Sequence, residues 1–415
     1  MPKSAALEIP FIISYWDGPP KEETTLDRYR EIAECGFNVA MPAIEAETDW
    51  NNTSGGLGVA QNRKILDLCQ QVGLKAMIWA GMPSEGDFRK PSPEQLPAIR
   101  TYLDDMMATF SAHPALLGYV LADEPGIPKF ERLGIIHDYL SKKDPSHLHY
   151  INLFPNYASA EGLGTPDYEE HVARYIETVK PTLVSWDHYR QIFGDEGDES
   201  FYWKNLEIVR RQSLKAGLPY IQIICSLKHF GYRECSEADL RWQVYTSLAY
   251  GSRGILYYTY WDVASLAWAG APAIMSLDGK RDIKYDYVKR INHRIARLGP
   301  TLLKVTSTGA YCTEPLPVGA QPLAPDAPIR NAEGGPMLIG CFADAGGTRY
   351  ILPVNRSFKD DMTARLTLDS RAVSVSEISQ DTGEALAAQL LNRHVLEVRL
   401  QAGEGRLFRL NGPAS

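Results

Sequence analysis

Residues 116–126 read "LLGYVLADEPG". A run of large apolar residues with no polar alternation is the mark of a strand buried on both faces, as in a parallel sheet. It ends abruptly in Asp123 and Glu124, with Pro125 to stop the hydrogen-bond ladder. The same texture recurs on both sides. Apolar, β-branched or aromatic runs stand at "FIISYW" (11–16), "FNVAMPA" (37–43), "LKAMIWA" (74–80), "HLHYINLF" (147–154), "TLVSWDHY" (182–189), "PYIQIICSL" (219–227) and "GILYYTYW" (254–261), giving eight candidate strands.

Between the runs lie segments with helical periodicity. Ile65, Leu68 and Val72 share one face, as do Leu96, Ile99, Leu103 and Phe110, and Leu240, Val244 and Leu248. The punctuation agrees. Ser92, Pro93 and Gln95 read as N-cap, first-turn proline and capping-box partner, and Ser236 with Asp239 repeats the pattern. Gly36, Gly73, Gly217 and Gly251 stand where helices would close before the next strand. Eight strands alternating with helices predict an α/β chain built as a (β/α)8 TIM barrel over residues 1–302. A doubly wound open sheet is the competing arrangement, but no glycine-rich phosphate turn follows the first strand.

Beyond "KYDYVKRINHRIARLG" the period changes to two. "EPLPVGAQPLAPDAP" (314–328) reads as a proline-rich connector. "MLIGCFAD" and "TRYILPVNRS", parted by "AGG", read as a hairpin, and "TARLTLD", "AVSVSEIS", "HVLEVRL" and "GRLFRLN" continue as short strands. Residues 303–415 are expected to form a small C-terminal antiparallel β-sandwich domain.

Composition excludes several classes. The chain has 415 residues, 44% hydrophobic and 23% charged, with a net charge of −8. It carries no basic stripe for a nucleic-acid partner and no apolar run long enough for a membrane span. The nine histidines are dispersed and the first strand has no His-x-His, so neither a metal site nor another cofactor is expected. The six cysteines are scattered without a CxxC pair and read as reduced core residues. This favours a cytoplasmic protein, or a periplasmic or secreted one if a signal peptide has been removed.

In a (β/α)8 barrel, catalytic groups stand at the C-terminal ends of the strands. That places Asp123 and Glu124 at the mouth, and the sixth strand brings Trp186, Asp187, His188 and Tyr189 to the same height. The first and eighth strands end in "SYWDG" and "YTYWD", adding Tyr15, Trp16, Tyr260 and Trp261. Trp79, Asn152, Asn156, Lys228 and His229 are further strand-end candidates. Carboxylates among 22 Tyr and 8 Trp point to a carbohydrate substrate, because aromatic faces stack on sugar rings.

A (β/α)8 barrel with a small C-terminal β-domain and "DEP" after its fourth strand resembles the glycoside hydrolases. The clan A families are most similar, since there the fourth strand ends in Asn-Glu-Pro and that Glu is the acid/base. The stretch "LRWQVYTSLAYGSRGILYYTYW" is similar to their seventh helix and eighth strand. The resemblance implies Glu124 as general acid. Asp123 replaces the Asn that touches the sugar 2-hydroxyl, and "PYIQIICSLKHF" lacks the seventh-strand Glu nucleophile, with Glu234 arriving only later in the loop. Asp187 is therefore expected as the second carboxylate. A substrate-assisted N-acetylhexosaminidase using the Asp123–Glu124 pair and a non-catalytic carbohydrate-binding barrel are the alternatives. Trp16, Trp186 and Trp261 are expected to supply sugar-stacking faces.

Overall fold

The computed structural model describes residues 7–43, 58–79, 91–189, 199–372 and 374–412. Eight parallel strands form one sheet: β1 (Ile12–Trp16), β2 (Val39–Ala40), β3 (Lys75–Trp79), β4 (Leu116–Asp123), β5 (Leu148–Leu153), β6 (Val184–Asp187), β7 (Tyr220–Cys225) and β8 (Gly254–Tyr258). They run in the order β1-β8-β7-β6-β5-β4-β3-β2. Helices cover the outside: α1 (Leu26–Glu34), α2 (Gly58–Val72), α3 (Leu96–Phe110), α4 (Phe130–Lys143), α5 (Ala160–Leu163), α6 (Tyr168–Val179), α7 (Tyr202–Ala216), α8 (Glu237–Ala249) and α9 (Ile283–Leu302). All eight expected strands are present, and the barrel is nearly closed.

The seam lies between β1 and β2, where Asn38 takes the place of a ladder. Its Oδ1 accepts from Ile13 N at 2.8 Å, its Nδ2 donates to Phe11 O at 2.8 Å, and its own N–H reaches Ile13 O at 3.0 Å. Replacing Asn38 with Leu leaves two backbone groups without partners, each costing about 1–3 kcal/mol. The urea midpoint of Asn38→Leu should fall accordingly; an unchanged midpoint would show that the seam is held elsewhere.

The expected caps are largely present. Ser236 and Asp239 form a reciprocal capping box on α8, and Gly36, Gly73, Gly217 and Gly251 all take positive φ. At α3 the reading shifts by one turn. Ser92 N donates to Gln95 Oε1 at 2.9 Å, but the helix begins at Leu96 and its first-turn proline is Pro97.

The C-terminal strands are β9 (Val305–Cys312), β10 (Ile329–Glu333), β11 (Met337–Asp344), β12 (Arg349–Asn355), β13 (Met362–Leu368), β14 (Ser374–Ile378), β15 (Ala385–Ala388), β16 (Leu390–Asn392), β17 (Val395–Leu400) and β18 (Leu407–Asn411). They form a four-stranded sheet, β10-β13-β17-β16, and a six-stranded sheet, β15-β14-β18-β12-β11-β9. Both are antiparallel, as a β-sandwich requires. The proline-rich stretch does not join the barrel to this region. β9 precedes it and pairs with β11, so the stretch is a loop within the β-region. The larger sheet packs on α8 so closely that a Cβ on Gly340 of β11 would lie 2.3 Å from Ala249 O, and in the loop between β17 and β18 a Cβ on Gly403 would lie 2.3 Å from Ala238 O. Consequently α8 is buried along nearly its whole circumference, including Gln243 and Ser247.

Candidate active site

Strand alternation decides which side chains reach the barrel axis. On β5, Tyr150 and Asn152 point inward. On β6, Ser185 and Asp187 do so, while Trp186 and His188 face the helices. Three residues form one chain of donors: Tyr150 OH lies 2.6 Å from Ser185 Oγ, and Ser185 Oγ donates to Asn152 Oδ1 at 3.2 Å. The Asn152 amide then donates to Asp123 Oδ1 at 3.1 Å and to Asp187 Oδ1 at 3.0 Å. One amide thus bridges two carboxylates.

Asp123 reaches this position because β4 is irregular. Against β5, Val120 pairs with Tyr150 but Ala122 pairs with Ile151, so Leu121 is an extra residue. In a regular strand Asp123 would share the outward face of Tyr119, whose hydroxyl meets Asp144 Oδ2 at 3.2 Å. The bulge reverses the facing of everything after it, and Asp123 pairs with Asn152 on the axis side. Glu124 follows with φ +45°, a left-handed conformation that a non-glycine residue takes at a cost. Its N–H is tied to Asn152 O at 2.8 Å, and the turn brings its carboxyl into hydrogen-bond contact with Asp187. Two adjacent acids that would diverge on a strand therefore converge. Asp17, at the end of β1, and Phe230, after β7, are held at φ +55° and +46° on the same face of the barrel.

Three carboxyls in this space cannot all ionise. Burial raises Glu124 above the ordinary carboxylate range, as do the charge of Asp187 and the hydrogen bond donated to it. Burial and the charge of Asp123 also raise Asp187. Asp123 is pushed up to about 7 by burial and by Glu124, with Asn152 and Lys129 opposing. The hydrogen bond favours the proton on Glu124 and the charge on Asp187. Among the described residues, Asp187 is held by Asn152 and Glu124 and no arginine pairs with it.

An aromatic wall stands beside the carboxyls. Tyr189 stacks on Tyr258 at 5.4 Å, and His229 packs against Tyr232 at 4.8 Å and Tyr258 at 5.3 Å. Tyr157 OH accepts from Tyr189 N at 3.3 Å and pairs with Tyr232 OH at 3.3 Å. Tyr157, Tyr189 and Tyr258 all sense the charge of Asp187, and burial keeps their hydroxyls protonated. Phe230 extends the wall outward and is 72% exposed. Burial lowers the His229 pKa, so its imidazole is neutral. On the other side Trp16 meets Trp79 edge-on at 5.3 Å and approaches Tyr150 at 6.4 Å.

Several sequence candidates do not belong to this site. Tyr15 and Tyr260 are fully buried against each other at 4.8 Å, with Phe37 behind them. Trp186 is fully buried in the helix layer near Tyr220. His188 is likewise buried, its Nδ1 at 2.9 Å from Asn205 Oδ1 on α7. Trp261 is only 4% exposed; the Arg28 guanidinium lies over its ring at 5.2 Å, and the Gly279 turn covers its edge. Asn156 ties its loop to α7 through Asn205 and Phe201. Glu234 is paired with Lys284 of α9 at 3.0 Å and cannot supply the missing β7 carboxylate. Lys228 is half-buried beside His229. Sequence reasoning missed Tyr150, Ser185, Tyr157, Tyr232 and Phe230. Period-two counting back from Asn152 and Asp187 finds the first two; the other three lie in loops that carry no periodic signal.

Fold and site together define a (β/α)8 barrel with a C-terminal β-sandwich and a buried carboxyl cluster at the barrel mouth. No protein-family model matches the chain, and no curated protein matches it in sequence. Solved structures do match its fold. A β-galactosidase from Bacillus circulans sp. alkalophilus aligns over 97% of this chain and 99% of its own, with a TM-score of 0.67 at 9% identity. A GH42 β-galactosidase from G. stearothermophilus, solved as a catalytic mutant, aligns over 97% and 99%, with a TM-score of 0.63 at 8% identity. The chain spans 61% of the β-galactosidase from the psychrophilic Marinomonas ef1, which covers 71% of it with a TM-score of 0.51 at 10% identity.

Proposed function

We propose that this protein is a glycoside hydrolase that cleaves O-glycosidic bonds of an oligo- or polysaccharide, with Glu124 as general acid. The observation that carries the reading is the convergence of Asp123, Glu124 and Asp187 at the barrel mouth, with Glu124 holding a proton. A carboxyl kept protonated near neutrality can protonate a leaving oxygen. Asp187 is the second carboxylate: it stabilises the proton on Glu124 and, once substrate parts the pair, is placed to act as base or nucleophile. Residues 1–302 carry the chemistry in this reading and 303–415 form an accessory domain. The whole-chain likeness to β-galactosidases makes β-galactosides the first substrates to try.

One observation favours a second mechanism. Paired carboxyls that flank a glycosidic bond stand about 5–5.5 Å apart in retaining enzymes and 6.5–9.5 Å in inverting ones, whereas Glu124 and Asp187 are in hydrogen-bond contact. A substrate-assisted N-acetylhexosaminidase needs no carboxylate across the ring, with Asp123 orienting the 2-acetamido group while Glu124 acts as acid. Assaying aryl β-galactosides beside aryl N-acetylhexosaminides separates the two, and inhibition by a thiazoline analogue would select the second. Turnover of neither class, with sugar binding intact, would leave a binding barrel.

The pH profile tests the coupling. The acid form of Glu124 is the active one, so activity is lost as pH rises through its raised pKa. Asp187→Asn removes the charge that holds the proton and offers an amide donor to the ionised form, so Glu124 should then ionise at lower pH. In the residual kcat/KM that this variant retains, the alkaline limb should move to lower pH by one unit or more, about 1.4 kcal/mol per unit. An unmoved limb would uncouple Asp187 from the acid.

A further inference from the structure

We infer that the opposite, N-terminal face of the barrel holds a second binding site, built from Arg253, Thr182, Ser141 and His149, for a small organic oxyanion, a carboxylate or a phosphate ester. A cavity of about 450 Å³ opens there, where β1, β5, β6, β7 and β8 begin. Its walls include Ile9 and Pro219, which are apolar. Its polar groups are mainly donors. Arg253, in the turn before β8, uses its backbone N–H on Tyr220 O at 2.8 Å, while its guanidinium has no ion-pair partner among the described residues. Thr182 Oγ1 is buried without a hydrogen-bond partner. His149, 3% exposed on the outward face of β5, leaves its Nε2 without one. Its Nδ1 lies 3.5 Å from Ser141 Oγ on α4.

A carboxylate near the cavity, Asp144, has its oxygens engaged elsewhere. Asp144 is taken up by His147 Nδ1 at 2.6 Å, Ser146 Oγ at 3.1 Å and Tyr119 OH at 3.2 Å. Burial pushes His149 down to about 3, so the ring contributes a neutral nitrogen and the positive charge comes from Arg253. Water would satisfy the hydroxyls and the imidazole. Arg253 lines the same space; a guanidinium fork matches the paired oxygens of a carboxylate or phosphate, and the apolar walls suit a small organic body. The site shares no residue with the carboxyl cluster.

The test follows the imidazole resonances of His149 and His147 in ¹⁵N-labelled full-length protein during titration with inorganic phosphate and, separately, with benzoate, at fixed ionic strength. A saturable shift with at least one probe is expected, and the probe that binds identifies the oxyanion type. Arg253→Gln should weaken that binding by about tenfold or more, and Thr182→Val severalfold, with turnover at the opposite face unchanged. The thermal melt of each variant reports folding, and Thr182→Val decides the matter if Arg253→Gln is misfolded. Absence of a saturable shift with both probes, or an undiminished shift in the variants, would overturn the site.

Discussion

Glu124→Gln should fold as the wild type does and retain sugar binding, yet lose turnover on glycosides with poor leaving groups by roughly 10²–10⁴-fold, the usual size of a lost proton transfer. The amide is isosteric with the protonated carboxyl and can still donate to Asp187, so the contact that links β4 to β6 survives. What disappears is a proton that can be given away. Aryl glycosides with strongly activated leaving groups need little protonation, and their turnover should fall far less. The ratio between the two substrate classes therefore reads the acid role directly, separate from any effect on binding. Equal turnover by Glu124→Gln and wild type on an unactivated glycoside would remove Glu124 from the mechanism.

Trp261→Ala should destabilise the protein by about 3–5 kcal/mol, the cost of deleting a large buried aromatic, and leave sugar affinity unaltered. From its strand-end position this indole is expected to be a stacking platform. The structure places it under the turn at Gly279, with one face taken by the Arg28 guanidinium and its backbone tied to Asp17 O at 2.9 Å. Truncation would open a cavity beneath the β1 and β8 loops and release Arg28, which Glu23 and Glu31 hold on its other side, each at 2.9 Å. Thermal unfolding with and without oligosaccharide checks this. A near-normal melting temperature combined with lost sugar affinity would return Trp261 to the substrate site.

The fold was legible because its signals are local. Eight apolar runs, the glycines that end helices and the Ser236–Asp239 cap are each specified by a few adjacent residues. Period-two alternation alone puts Asp187 on the opposite face from Trp186 and His188. The site was legible as a place and as a set of acids, but not as an arrangement. The facing of Asp123 depends on the extra residue Leu121, a bulge that exists only relative to the register of β5. The Glu124 carboxyl depends on a left-handed backbone that its own side chain does not favour, held by Asn152 and Asp187 from two other strands. Glu234 sits in the loop where a catalytic acid was sought, and Lys284, 50 residues further on, draws it away. The circumference of α8 is polar in places and still buried, since a sheet formed by the last quarter of the chain lies on it. Short-range chemistry determined the elements and their order. Pairing between distant segments decided which carboxyls meet, because side-chain facing in a sheet is counted from the neighbouring strand.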